Sequence, residues 1–235
     1  MSAIRLDHVA IGLWRWEDAV ELFEERLGGA RSGGYDGVPF GFRQWEFAGG
    51  GRLEIVYPEG PPDGFLHRFL ARGGPRIHHA TFKVPSLDDT IARARERGYD
   101  VVGIDRREPH WQEAFLHPKS AQGIVVQMVE QRPREGGEDW PTARPRSDAA
   151  RIRGLRLSAR SAEAARRQWG ELLGGSGFVQ GDALSFRWEE SPLALLVDVD
   201  PDREEGPLQL ELSAARDLAL PDSPFPGFGT RFVQV

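Results

Sequence analysis

Apolar and polar residues alternate along residues 4–13, with Val9, Ile11 and Leu13 on one side of the chain and Leu6, His8 and Ala10 on the other. This period of two predicts a half-buried strand. Over 17–28 the period lengthens: Ala19, Val20, Phe23 and Leu27 form the stripe of an amphipathic helix that Gly28-Gly29 stops. Strands are predicted at 38–47 and, beyond Gly49-Gly50-Gly51, at 52–57. A turn-rich stretch at 58–63 and a short helix at 65–70 complete this first unit.

The pattern then repeats. Arg5-Leu6-Asp7-His8-Val9-Ala10-Ile11 returns as Arg76-Ile77-His78-His79-Ala80-Thr81-Phe82, an offset of 71 residues (79 − 8). The second unit is a strand at 76–84, a helix at 87–98 capped by Ser86 or Asp88 and ended by Gly98, and strands near 100–104, 111–117 and 123–129. Residues 131–149, rich in Pro, Glu, Arg and Gly, read as a linker. A third copy follows, because Arg151-Ile152-Arg153-Gly154-Leu155-Arg156-Leu157 matches residues 5–11. Its helix runs from Ser161 to Gly175, and its strands fall near 177–180, 183–188 and 193–199. A strand at 207–213 opens a fourth unit whose helix is broken by Pro221, Pro224 and Pro226. The expected fold is therefore α+β, built of βαβββ modules. A paired metal-binding domain spans 1–130, a linker 131–149, and a degenerate third module with a partial fourth 150–235.

Composition narrows the function classes. Hydrophobic residues make up 40% of the 235-residue chain, as in an ordinary globular protein. There is no cysteine, which excludes disulfides, thiolate metal sites and a cysteine nucleophile. A net charge of −6 argues against nucleic acid as a partner. No apolar run is long enough for a membrane helix and no leader pattern is visible, so a soluble cytoplasmic protein is expected. The basic residues are almost all Arg; Lys83 and Lys119 are the two lysines.

The chemistry comes from polar residues that interrupt apolar strands. Glu54 lies between Leu53 and Ile55, and Gln127 between Val126 and Met128. Glu54 follows His8 by 46 residues (54 − 8) and Gln127 follows His79 by 48 (127 − 79). Two equivalent modules about a pseudo-twofold axis would bring His8, Glu54, His79 and Gln127 to one place. Two imidazoles, a carboxylate and an amide oxygen suit one divalent ion of Zn, Ni, Co, Mn or Fe. The third copy has Gly154 in the place of His8, Ala194 or Leu195 in that of Glu54, and an isolated Glu211 in that of His79. It is expected to bind no metal and to pack against the first pair, cap its cleft or mediate a homodimer.

Four stretches carry a resemblance to a known family: Asp7-His8-Val9-Ala10-Ile11, Leu53-Glu54-Ile55-Val56-Tyr57-Pro58, Ile77-His78-His79-Ala80, and Phe115-Leu116-His117-Pro118-Lys119-Ser120 with Gly123. The chain resembles the vicinal oxygen chelate superfamily, which includes glyoxalase I, methylmalonyl-CoA epimerase and the extradiol dioxygenases, and locally the epimerase branch. The resemblance covers roughly residues 4–130, with a weaker echo over 150–213. It implies the glyoxalase/bleomycin-resistance/dioxygenase-like fold and carries the family's ligands onto His8, Glu54, His79 and Gln127. One departure stands out: epimerase-like members usually have Gln first and Glu last, and here the two are exchanged. Gln127 can offer its carbonyl oxygen but cannot take a proton.

The resemblance implies isomerase, epimerase or lyase chemistry on a small carbonyl compound, including an acyl-CoA, through an enolate-type intermediate. An ion at the carbonyl oxygen stabilises the charge that develops on deprotonation. Glu54 is one candidate base. Glu46 is another if the strand face it shares with Gln44 and Phe42 lines the cleft; Arg43 is a substrate contact if the opposite face does. Thr81 and Lys83 share a face with His79 and should contact substrate, Lys83 at the far end of an extended anion, roughly 13 Å along the strand. Lys119 could reach a carboxylate or phosphate at the rim. His78 is expected to be structural, and Trp111 and His117 to shape a loop. The alternatives are an Fe-dependent extradiol-type dioxygenase and a drug-sequestering binding protein of the same fold without a metal.

Overall fold

The computed structural model describes residues 3–133 and 143–235. β1 (Arg5–Gly12) leads into a 3-10 turn (Trp16–Ala19) and a wide helical stretch (Glu21–Arg26), followed by β2 (Ala30–Tyr35), β3 (Phe40–Glu46) and β4 (Arg52–Pro58). The helix is not the regular α-helix expected. The N–H of Leu27 donates to the carbonyl of Leu22, a five-residue step at 2.8 Å. This wider turn puts Leu22 beside Ala19, Phe23 and Leu27 in the core and leaves Val20 half-buried. α1 (Phe65–Gly73) precedes the second module: β5 (Arg76–Lys83), α2 (Leu87–Glu96), β6 (Val101–Glu108), β7 (Trp111–Leu116) and β8 (Val125–Gln131). Ser86 caps α2, its hydroxyl accepting from the N–H of Asp89 at 3.2 Å.

The third module comprises β9 (Arg151–Ala159), α3 (Ala162–Ala165) continuing into a wide helical stretch (Arg166–Leu172), β10 (Ser176–Gln180), β11 (Ala183–Arg187) and β12 (Ala194–Val199). β13 (Gly206–Ser213) and β14 (Arg231–Gln234) are what remains of a fourth. The strands form an eight-stranded sheet in the order β2-β3-β4-β1-β5-β8-β7-β6 and a six-stranded sheet in the order β10-β11-β12-β9-β13-β14. The first order is its own mirror image, as a duplicated module requires; the second repeats it with the last two strands missing. Within each module the first strand runs parallel to the last: β1 with β4, β5 with β8, and β9 with β12. The expected α+β fold of repeated βαβββ modules is the observed one.

The chain forms two compact units, each drawn from separate stretches of sequence. One unit comprises Met1–Asp7, His79–Gly137 and Gly154–Leu208, and the other His8–His78, Glu138–Arg153 and Gln209–Val235. In the second, Phe23 is wedged among Trp45, Phe47, Phe228 and Phe232, with ring centroids 5.3–6.3 Å apart. In the first, Phe82 packs on Trp169 and Trp188 at 6.1 and 5.1 Å. Phe23 thus packs against rings from the C-terminal end of the chain, and Phe82 against rings from the third module.

The expected linker, 131–149, lies partly outside the described residues, which leave out 134–142. Beyond that stretch the N–H groups of Arg146 and Ala150 donate to the carbonyls of Gly28 and Leu27 at 2.9 and 2.8 Å, and Ala149 and Ala150 are buried.

Candidate metal centre

In β1, Val9 and Ile11 face the helix-covered core, so alternation turns His8 and Ala10 to the other sheet face. The parallel register sets Ala10 beside Glu54, and the antiparallel register sets Gln44 opposite Glu54. His8, Glu54 and Gln44 therefore converge. His8 Nε2 lies 3.5 Å from Glu54 Oε2, with the two side chains only 2% and 10% exposed. The Gln44 amide nitrogen lies 3.4 Å from that same carboxylate oxygen and 3.4 Å from His8 Nδ1. Farther along this face, Val56, Leu66 and Leu70 pack with Phe40, Phe42 and Phe69 into an apolar wall.

The face of β3 left open by the sequence is settled by Trp45, which is fully buried against Phe23 on the helix side. Gln44 and Glu46 share the face of Glu54, with Glu46 half-buried opposite Arg52. Arg43 lies on the other face, opposite Ile55, where its guanidinium holds Asp36 and stacks over Trp16 and Tyr57. Those contacts place Arg43 away from the Glu54 face.

In the compact unit that contains His79, Thr81 faces Gln127 in the register of β5 and β8, and both are buried. The Thr81 hydroxyl donates to Gln127 Oε1 at 2.6 Å. The Gln127 amide nitrogen donates to Glu113 Oε2 at 2.8 Å, and the indole N–H of Trp111 donates to the same oxygen at 2.8 Å. The Lys83 ammonium sits 3.5 Å from the centroid of the Trp111 ring. Trp111 opens β7, the strand expected over 111–117. Lys119 is exposed in the turn after β7, and its backbone N–H donates to His117 Nδ1 at 3.2 Å. His78 packs edge-on against Phe69 at 4.6 Å; burial pushes its pKa down to about 4, and the Arg76 charge adds to the effect.

Among the described residues, His8, Glu54 and His79 form a group able to hold a metal ion: all three are buried, and one ligand atom from each lies within 4.8 Å of the others. The donor set fits a borderline divalent ion. Two ligand atoms bonded at about 2.1 Å in a tetrahedron stand about 3.4 Å apart, close to the 3.5 Å between His8 and Glu54. Gln127 is the expected ligand whose amide is already engaged at both ends.

The third module differs at the matching positions. Gly154 holds the place of His8, and a Cβ there would lie 2.1 Å from the carbonyl oxygen of Ala194. The register of β9 and β12 puts Leu196, not Ala194 or Leu195, in the place of Glu54. Arg156, in the place of Ala10, is tied to Asp198 at 2.6 Å. Gln44, Glu113 and Trp111 are not among the site residues expected from the sequence. Only strand register links them to Glu54 and Gln127, although the fully buried Ala114 and Leu116 mark Trp111, Glu113 and Phe115 as the opposite face of β7.

The family model described as a glyoxalase-like domain matches residues 6–173. Uncharacterized protein YqjC of Bacillus subtilis is 26% identical over 132 residues, which is 54% of this chain and 91% of that protein. The crystal structure of methylmalonyl-CoA epimerase from Mycobacterium tuberculosis is similar at 25% identity and a TM-score of 0.50, covering 55% of this chain and 89% of that one. A hypothetical protein from Staphylococcus aureus shares the fold over the whole of both chains, with a TM-score of 0.65 at 9% identity.

Proposed function

The chain belongs to the glyoxalase-like domain family of the vicinal oxygen chelate superfamily, and from that premise we propose that it is a metal-dependent isomerase acting on a small carbonyl compound. The observation that carries this reading is the buried cluster of His8, Glu54 and His79. These residues would hold one divalent ion of Zn, Ni, Co, Mn or Fe. Such an ion lowers the energy of negative charge developing on a carbonyl oxygen when the neighbouring C–H is deprotonated. The epimerase named among the similar structures acts on an acyl-CoA by its title, and an acyl thioester is the first substrate class to try here.

The chain's own residues would do the rest. The wall of Phe40, Phe42, Val56, Leu66 and Leu70 excludes water from one side of the Glu54 face. Thr81 fixes Gln127, and Lys83 and Lys119 offer positive charge to an anionic substrate tail. Among the described residues no helix is long and apolar enough to cross a membrane.

Two imidazoles and one carboxylate are also the ligand set of non-haem Fe(II) oxygenases, which keeps ring cleavage as a second reading. Metal analysis of untagged protein, followed by deuterium wash-in from D2O next to the carbonyl of acyl-CoA thioesters and hydroxyketones, tests the first. About one ion per chain and exchange at that carbon support it. Absence of any divalent ion after reconstitution sinks both enzyme readings. Oxygen uptake with catechols, and no exchange, would replace the isomerase by the oxygenase.

A further inference from the structure

If the reaction is carbonyl-directed proton transfer, the chain needs a proton acceptor that Gln127 cannot be, since an amide oxygen is not a useful base. Glu54 is buried with His8 Nε2 and the Gln44 amide around one of its oxygens, and it is needed for the ion. Glu46 stands opposite Arg52. A third carboxylate lies beside Gln127. Glu113 extends from the same face of β7 as Trp111 and Phe115, and Phe115 is the register partner of Gln127. It is half-buried, and its two donors, Gln127 Nε2 and Trp111 Nε1, both bind Oε2 at 2.8 Å. They orient the carboxylate and leave Oε1 out of those bonds. The same amide, held at its other end by Thr81, ties Glu113 to the strand that carries His79.

We propose that Glu113 is the catalytic base, and that the Thr81–Gln127 pair aims it, so that the carboxylate Gln127 lacks is supplied one strand away. The inference rests on the isomerase reading. In the step assigned to it, the C–H bond next to the substrate carbonyl breaks and its proton passes to Glu113 Oε1. The C–H electron pair becomes the C=C bond of the enolate, and the carbonyl π pair becomes negative charge on oxygen. The carbon then regains a proton, from Glu113 or from water, which in D2O leaves deuterium behind.

Glu113→Gln separates this role from a structural one, because glutamine keeps the size and an oxygen that can accept from Trp111 and Gln127 while losing basicity. Exchange would be measured in D2O with methylmalonyl-CoA, propionyl-CoA and dihydroxyacetone as probes, alongside metal content and thermal unfolding. Glu113→Gln should retain the wild-type ion and melting temperature while exchange falls on the order of 100-fold or more. Glu113→Ala should recover exchange as formate is added, since a small carboxylate can enter the space left by the side chain. Exchange in Glu113→Gln within about threefold of wild type, with the ion in place, overturns this proposal alone. Failure of formate to restore any exchange in a folded, metal-loaded Glu113→Ala protein counts against it in the same way. A metal-loaded wild type that exchanges none of the three probes overturns the isomerase reading and this inference together.

Discussion

A Cβ placed on Gly154 would lie 2.1 Å from the carbonyl oxygen of Ala194, so the strand that repeats β1 has no room for the histidine β1 carries. The close approach belongs to the hydrogen-bonded edge shared by β9 and β12, where Gly154 and Ala194 are register partners. Even alanine must push two paired strands apart. Gly154→Ala is expected to cost about 1–3 kcal/mol, read as a fall in melting temperature of several degrees for a chain of this size. An unchanged melting temperature would mean that the strands are not this close. The metal content should not move.

The proposed ligand set makes a sharper statement about the other two modules. His8→Ala and His79→Ala should each abolish stoichiometric binding of a divalent ion, and Glu54→Gln should weaken it by one to two orders of magnitude or more, measured by metal analysis after dialysis. Gln127→Ala should keep the ion, because its amide is occupied by Thr81 and Glu113. Loss of metal in Gln127→Ala equal to that in His8→Ala would restore the four-ligand set suggested by the sequence.

Thr81 offers a test of the network that leaves every proposed ligand intact. Thr81→Val is close in shape but removes the hydroxyl that donates to Gln127 Oε1 at 2.6 Å, inside a buried site. Leaving a buried carbonyl without that donor costs about 1–3 kcal/mol. Denaturant unfolding should report that loss while the ion is retained. If exchange activity is present, it should fall through kcat more than KM, as expected when a group is misaimed instead of removed. A variant as stable as wild type would show that the Thr81–Gln127 bond contributes nothing.

The repeat was legible because duplication preserved its spacing: His8 and His79 recur in matching strands, and alternation alone separated Glu54 from Leu53 and Ile55. What escaped the sequence depends on pairing over long distances. β2 contains Gly33 and Gly34, which carry little strand propensity, and it forms only because β3 pairs with it at the sheet edge. The place of Glu54 in the third module falls to Leu196, one residue past Leu195, and a slip of one residue exchanges the two faces of a strand. Nothing local marks Glu113; only register brings it beside Gln127. The interleaved compact units were equally out of reach, since nothing local in Phe228 or Trp169 says that it will pack on Phe23 or Phe82.

Glu130 links the end of the candidate domain to its helix in a way that predicts a pH effect. Its carboxylate accepts the N–H of Leu87 at 2.9 Å, in the first turn of α2, where the helix presents unpaired donors and partial positive charge. That bond holds its pKa below the ordinary 4.5; partial burial works the other way, and Arg132 adds to the lowering. Because the folded value lies below the unfolded one, the contribution is fully present above about pH 4.5 and disappears as the pH falls through the folded value. Glu130→Gln keeps an acceptor for Leu87 but removes the charge, so it should cost about 0.3–1 kcal/mol at pH 7. Between pH 5 and pH 3 the wild type should lose stability faster than Glu130→Gln, and the two curves should converge at the acid end. Parallel curves in urea unfolding across that range would show that the helix terminus does not feel this carboxylate.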